Sequence, residues 1–221
     1  MAIGDAVSQV QQFKRGSLTE TIADIEAQLT DERAAQVDAA SQSFGIDGGL
    51  LMAAAEVKQA SAQIDVVIHA VGILYALPHI LGEDEVIEGL SLGAGSAGSD
   101  FDVVTNQRIA EFKFIQWQGG SNALRKVTLF QDFFKLVRET TQKEKVLYLL
   151  DTEIPLRFLQ GSSQIRWLLA RNRQLRDDFE ARYGQTYRAV GEYYKAHQDE
   201  VHIMNLAEMV RGFDEFIAIF R

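Results

Sequence analysis

Hydrophobic and polar positions change period several times along the chain, and the changes mark its elements. In LTETIADIEAQLTDERAAQVDAASQ, residues 18–42, Leu18, Ile22, Ile25 and Leu29 recur at helical spacing while Thr, Glu, Asp and Gln fill the positions between. That pattern predicts an amphipathic helix with an acidic outer face. The glycines and Asp47 of FGIDGG, 44–49, favour irregular backbone and predict a turn or linker. A second helix is expected from about Leu50 to Leu77, where Ile64, Val67, Ile68, Val71 and Leu74 come at spacings of three and four and bury one broad stripe.

After Pro78 the period shortens. VIEGLSLG, 86–93, alternates as a strand does, and GAGSAGS, 93–99, reads as a flexible connection. DFDVVTN and RIAEFKFI are two strands joined by a tight turn near Asn106 and Gln107. Residues 121–140 are helical, with Leu124, Val127, Phe130, Phe134 and Val137 on one face, and KVLYLLD, 145–151, is an apolar run of buried-strand length. A long polar helical region over about 163–197, a short strand VHIMNL and a closing helix containing MVRGFDEFIAIF complete the chain. The order implies an α/β fold with a mixed central sheet flanked by helices. An N-terminal helical extension is expected over 1–49 and the main domain over 50–221, with helices at its C-terminal end.

Composition narrows the chemistry. At 221 residues and 47% hydrophobic, the chain can bury one sizeable core. It has no cysteine, which removes disulfides, thiolate zinc sites and cysteine nucleophiles and fits a reducing compartment. The N-terminal stretch lacks the basic-then-apolar order of a signal peptide. The longest apolar run, 66–77, is shorter than the roughly 20 residues needed to span a bilayer. A cytoplasmic protein without a membrane partner is therefore expected. The net charge of -9 argues against a polyanionic partner until its distribution is considered. Residues 1–99 hold 4 basic and 14 acidic side chains, whereas Arg108 to Arg188 hold 15 basic and 9 acidic ones. The second half is compatible with phosphate binding.

The hairpin SDFDVVTNQRIAEFKF carries the candidate chemistry. With Asn106 and Gln107 as a two-residue turn, Thr105 faces Arg108, Val104 faces Ile109, Asp102 faces Glu111 and Asp100 faces Lys113. Side chains alternate along strands, so Asp102, Glu111 and Lys113 project to one side. Phe101, Val103, Ala110, Phe112 and Phe114 project to the other, the expected core face. Asp100 shares the parity of Asp102 and replaces it if the register differs. Opposed carboxylates repel, and a hard divalent cation with a preference for oxygen ligands neutralises them.

An aspartate, a short hairpin and then Glu-Phe-Lys on the next strand resembles the core of the PD-(D/E)XK nuclease superfamily. One helix, three strands, a helix and a strand also match that family's restriction-endonuclease-like αβββαβ core over about residues 50–152. The resemblance implies a metal-dependent nuclease hydrolysing phosphodiester bonds, with DNA as the expected partner and Mg²⁺ or Mn²⁺ as cofactor. Asp102 and Glu111 would be metal ligands and Lys113 the catalytic lysine. Glu56, on the first core helix, would add an acidic ligand, and Gln131 in LFQDFFKL is similar to a glutamine that some members carry. Two positions depart from the pattern: Phe101 stands where a proline is usual, and Lys135 replaces the tyrosine that often follows that glutamine. The alternative expectation is a catalytically inactive nuclease-fold module that binds nucleic acid or a protein partner. The acidic N-terminal region would then serve a homodimer or a larger complex.

Other features are weaker. GLSLGAGSAGSD lacks the Lys-Ser/Thr ending of a phosphate loop. His69, His79, His197 and His202 show no zinc-protease spacing, and His69 reads as a core or boundary histidine. Arg125, Lys126, Arg166, Arg171, Arg173 and Arg176 are candidate phosphate contacts. Trp117 is expected either to stack on a base or to pack at the sheet edge.

Overall fold

A computed structural model describes residues 2–15, 17–29, 37, 41–62, 64–93, 100–114, 117 and 123–219. The chain forms two compact units, Met1–Val67 and Ile68–Arg221. This division lies further along the chain than the expected boundary at 49.

In the first unit the described helices are α1 (Ile3–Lys14), α2 (Leu18–Leu29) and α3 (Gly48–Ser61). Ala6 of α1 and Ala53 of α3 are fully buried where these two helices meet, since small side chains let the backbones approach. Asp47, expected in a linker, is the N-cap of α3, and its carboxylate accepts from the Leu50 amide at 2.8 Å. Residues 30–36 and 38–40 of the predicted first helix lie outside the described residues. The expected helix over 50–77 is two helices, α3 and α4 (Ile64–Ile80). Pro78 sits in the last turn of α4 instead of beyond it. Taken as one stretch, Gly48–Ile80 is long and apolar enough to cross a membrane by length and composition alone, with a mean hydropathy of 1.6.

The second unit is built on a five-stranded sheet: β1 (Ile87–Leu90), β2 (Val103–Thr105), β3 (Arg108–Lys113), β4 (Glu144–Leu149) and β5 (His202–Asn205), side by side in that order. The first three strands are antiparallel neighbours, and β4 and β5 add parallel to β3. The α/β class and the mixed sheet flanked by helices are as the sequence predicts. The hairpin register is also as predicted, with Val103 opposite Ala110 and Val104 opposite Ile109.

Parallel strands need a crossover that returns the chain to the starting edge, and α5 (Ala123–Arg138) supplies it between β3 and β4. The predicted helix over 163–197 is three pieces: α7 (Ile165–Leu168), α8 (Arg173–Tyr183) and α9 (Val190–His197), preceded by α6 (Glu153–Leu159). The breaks have local causes. Asn172 caps α8 through its side chain, and Gly184, with φ of +56°, ends it in a conformation that a Cβ strains. The closing helix is likewise divided, into α10 (Leu206–Met209) and α11 (Phe213–Ala218), at Gly212.

Both faces of the sheet are buried. Ile109, Leu147 and Leu149 pack with Phe130, Phe133 and Phe134 of α5 and with Phe179 and Tyr193 beyond it. Val103, Ala110, Phe112 and Tyr148 pack on the opposite side with Ile73 and Leu77 of α4 and Phe213 of α11. Gly72 is required there, because a Cβ would stand 2.6 Å from the Phe114 ring. One expectation is corrected: Phe101 belongs to the α5 side, not to the face of Val103 and Phe112. Residue 101 precedes the paired part of β2, so strict strand alternation does not reach it.

Candidate functional site

Of the three hairpin residues singled out by parity, Glu111 and Lys113 lie towards the end of β3 beneath α5, and Asp102 lies just ahead of β2. The face expected to be an open ionisable surface is instead covered, and Glu111 is only 4% exposed. Such burial of charge is tolerable only with partners, and α5 delivers them. Because the crossover helix runs back along β3, the later strand residue meets the earlier helix residue. Lys113 Nζ lies 2.5 Å from Asp132 Oδ2, and Lys135 Nζ lies 2.6 Å from Glu111 Oε1. Asp132 and Lys135 are three residues apart and therefore share one helix face.

Asp102 sits where the β2 ladder has ended. Its Oδ2 accepts from the Phe112 backbone amide at 2.8 Å, taking over a donor that the β2–β3 ladder would otherwise leave open. Its Oδ1 lies 3.2 Å from Nε2 of His69 on α4. These contacts bring Asp102 into the cluster, whereas Asp100 is exposed.

Three carboxylates thus converge with two lysines and a histidine. Burial pushes the Glu111 carboxyl up, and the negative charges of Asp132 and Asp102 push it further, to about 8, against partial relief from Lys135 and Lys113. Burial also acts to raise Asp102, but His69, the Phe112 amide and Lys113 outweigh it and hold that carboxyl low. For Lys113, burial favours the neutral amine, yet Asp132, Glu111 and Asp102 together raise its pKa above the ordinary value. The cluster thus favours the charged form of Lys113 and disfavours the charged form of Glu111, a penalty that further positive charge would relieve.

The donor set is oxygen-rich. Among the described residues no three Asp, Glu or His side chains form a ready-made metal cage. Two carboxylates and an excess of negative charge nevertheless fit a cation such as Mg²⁺, which takes one or two protein carboxylates and completes its shell with water and phosphate.

The other expected site residues lie elsewhere. Glu56 belongs to the N-terminal unit, on α3; the helix that reaches Asp102 is α4, and the side chain it brings is His69. Gln131 points away from the cluster and donates from Nε2 to the Leu168 carbonyl at 3.3 Å. Trp117 is buried and stacks near Phe158, the packing alternative. Sequence reasoning missed Asp132, Lys135 and His69 as members of the cluster. A trace of the first two stood in the sequence, where Asp132 and Lys135 interrupt the otherwise largely apolar LFQDFFKLV, but the run does not state what these charges meet. No protein family, curated protein or solved structure matches the chain.

Proposed function

We propose that this protein is a metal-dependent nuclease whose hydrolytic centre is Asp102, Glu111 and Lys113, on a core of the restriction-endonuclease-like type. The observation that carries the reading is geometric: Asp102, the buried Glu111 and Asp132 converge with Lys113 beneath α5, three carboxylates around one strand end. That crowding disfavours the charged form of Glu111 and suits a cation. The order α4, β1, β2, β3, α5, β4 agrees with the αβββαβ core. Asp102 and Glu111 would hold a divalent cation such as Mg²⁺ or Mn²⁺, which when bound would supply Lewis-acid chemistry at a phosphoryl oxygen and a more acidic water. Lys113, kept charged by Asp132, donates to negative charge that builds on the phosphate oxygens. His69 orients Asp102, and Lys135 neutralises Glu111 when it is ionised. DNA is the expected substrate.

One observation favours a second reading. His69 pairs with Asp102, Lys113 with Asp132 and Lys135 with Glu111 within the chain itself, as a scaffold that binds a partner without cleaving it would also have. Incubation of supercoiled, linear and single-stranded DNA with Mg²⁺ or Mn²⁺ separates the two. Wild type is expected to cleave at least one of them, and Lys113→Ala to lower the rate about 10²- to 10³-fold. If neither metal supports cleavage and Mn²⁺ leaves the melting temperature unchanged, the nuclease reading fails and the binding module stands.

A further inference from the structure

Trp167 is 69% exposed, although the other tryptophan, Trp117, is buried. It stands on α7, a short helix held in place by backbone bonds from Val190 to the Ser163 carbonyl and from Ile165 to the Arg188 carbonyl. The same bridge, Gln164 opposite Ala189, brings Arg166 and Arg188 to one surface. Two hollows adjoin there and share Gln164 and Arg166.

The first, of about 750 Å³, is lined by Arg166, Arg176, Arg188 and Tyr187 with a single acid, Glu180. The second, of about 1310 Å³, is lined by Lys126, Arg166, Arg171 and Trp167, and no acidic residue lines it. Among the described residues no carboxylate pairs with Lys126, Arg166 or Arg171. A chain with a net charge of -9 therefore gathers five basic side chains along two adjoining hollows: Lys126, Arg166 and Arg171 beside the exposed indole, and Arg188 with Arg176, the latter also meeting Asp177, in the neighbouring one. The Arg166 guanidinium already lies 6.0 Å over that ring.

Unpaired cations beside an exposed aromatic face suit a ligand that is both anionic and aromatic. We propose that this surface binds single-stranded nucleic acid, with phosphates on Arg166 and Arg188 and an unstacked base on Trp167. Stacking platforms joined to a cationic groove bind strands whose bases are free. A duplex keeps its base faces inside its own stack and offers Trp167 nothing to stack on. The groove also adjoins the proposed centre in sequence and along the helix. Lys126 precedes Asp132 by six residues on α5, about 9 Å along its axis. The inference rests on the nuclease reading only for the fate of the strand after binding.

The test withholds metal. With EDTA present, a labelled oligodeoxynucleotide is titrated as a single strand and as the matching duplex, with tryptophan emission followed in parallel. The single strand should bind more tightly and quench the emission. Trp167→Ala should weaken single-strand binding about ten-fold, and Trp167→Phe should retain most of it. Arg166→Ala and Arg188→Ala should each reduce the slope of log affinity against log salt by about 0.7. Equal binding of the duplex, an unaffected Trp167→Ala variant, or competition by polyglutamate as effective as by the oligonucleotide would overturn the proposal. Binding without any metal-dependent cleavage would leave this surface standing and remove the nuclease reading.

Discussion

At the start of β3, Arg108 places two guanidinium nitrogens on the Glu85 carboxylate at 2.7 and 2.8 Å and gives a third bond to the Tyr148 hydroxyl at 2.7 Å. Glu85 also accepts from Thr105 Oγ1 at 2.6 Å and from the Gly82 amide at 3.1 Å. At the other end of the strand and on its other face, Glu111 meets one lysine and two further carboxylates. The first group is matched charge for charge and bond for bond. The second holds more negative than positive charge. Burial works against ionisation of both glutamates, but the bonds from Thr105, Gly82 and Arg108 bring Glu85 below its ordinary value, while nothing comparable rescues Glu111. A matched network fixes a hairpin; an unmatched one waits for a proton or a cation.

The comparison is broken most directly at Arg108. Arg108→Ala strands a buried carboxylate and should cost about 3–5 kcal/mol, measured by urea unfolding. A loss below about 1 kcal/mol would mean that the network contributes little to the fold.

Glu111→Gln should act in the opposite direction. The folded carboxyl titrates near 8 and the free one near 4.5. Its neutral form therefore favours the fold fully below about 4.5, and that advantage is lost as pH rises towards 8. Metal-free Glu111→Gln protein should be more stable than wild type at pH 8, by an amount of order kcal/mol, and no more stable at pH 4. Added Mg²⁺ should stabilise wild type and not the variant. Glu85 has the reverse sign, since its contribution is present above the ordinary carboxylate range and lost as pH falls below it. Calorimetric melting of both proteins across this range measures the two slopes, and parallel profiles for wild type and Glu111→Gln would remove the distinction between the ends of β3.

The smallest effect is expected at the turn itself. Asn106 accepts from the Val86 amide at 2.9 Å and donates to the Asp84 carbonyl at 3.2 Å, so Asn106→Ala should cost about 1 kcal/mol. DNA cleavage at temperatures well below the melting point should be unchanged. A large loss of cleavage would show that the matched end of the hairpin governs the unmatched one.

Much of this was legible in the chain. Alternation placed Glu111 and Lys113 on one face of β3, and the two-residue turn set the pairing of Val103 with Ala110 and Val104 with Ile109, which ends just short of Asp102. The charged residues of α5 could be read only as a surface pattern, because helical spacing states which residues share a face and not what that face meets. Gln131, chosen by resemblance, turns to the Leu168 carbonyl while its neighbour Asp132 takes Lys113. One step along a helix rotates a side chain by about 100°.

The sequence by itself determined the α/β class, the register of the paired hairpin residues and the parity of Glu111 and Lys113, since these depend on local periodicity and turn chemistry. Only the tertiary structure decided that α5 closes over Glu111, that Asp132 and Lys135 cross-pair with Lys113 and Glu111, and that His69 reaches Asp102. It also brought Arg166 and Arg188 to one hollow through the bridge between Gln164 and Ala189. Those contacts depend on the direction in which a crossover helix returns along its strand and on which carboxylates lose water together. Neither quantity is local in the chain.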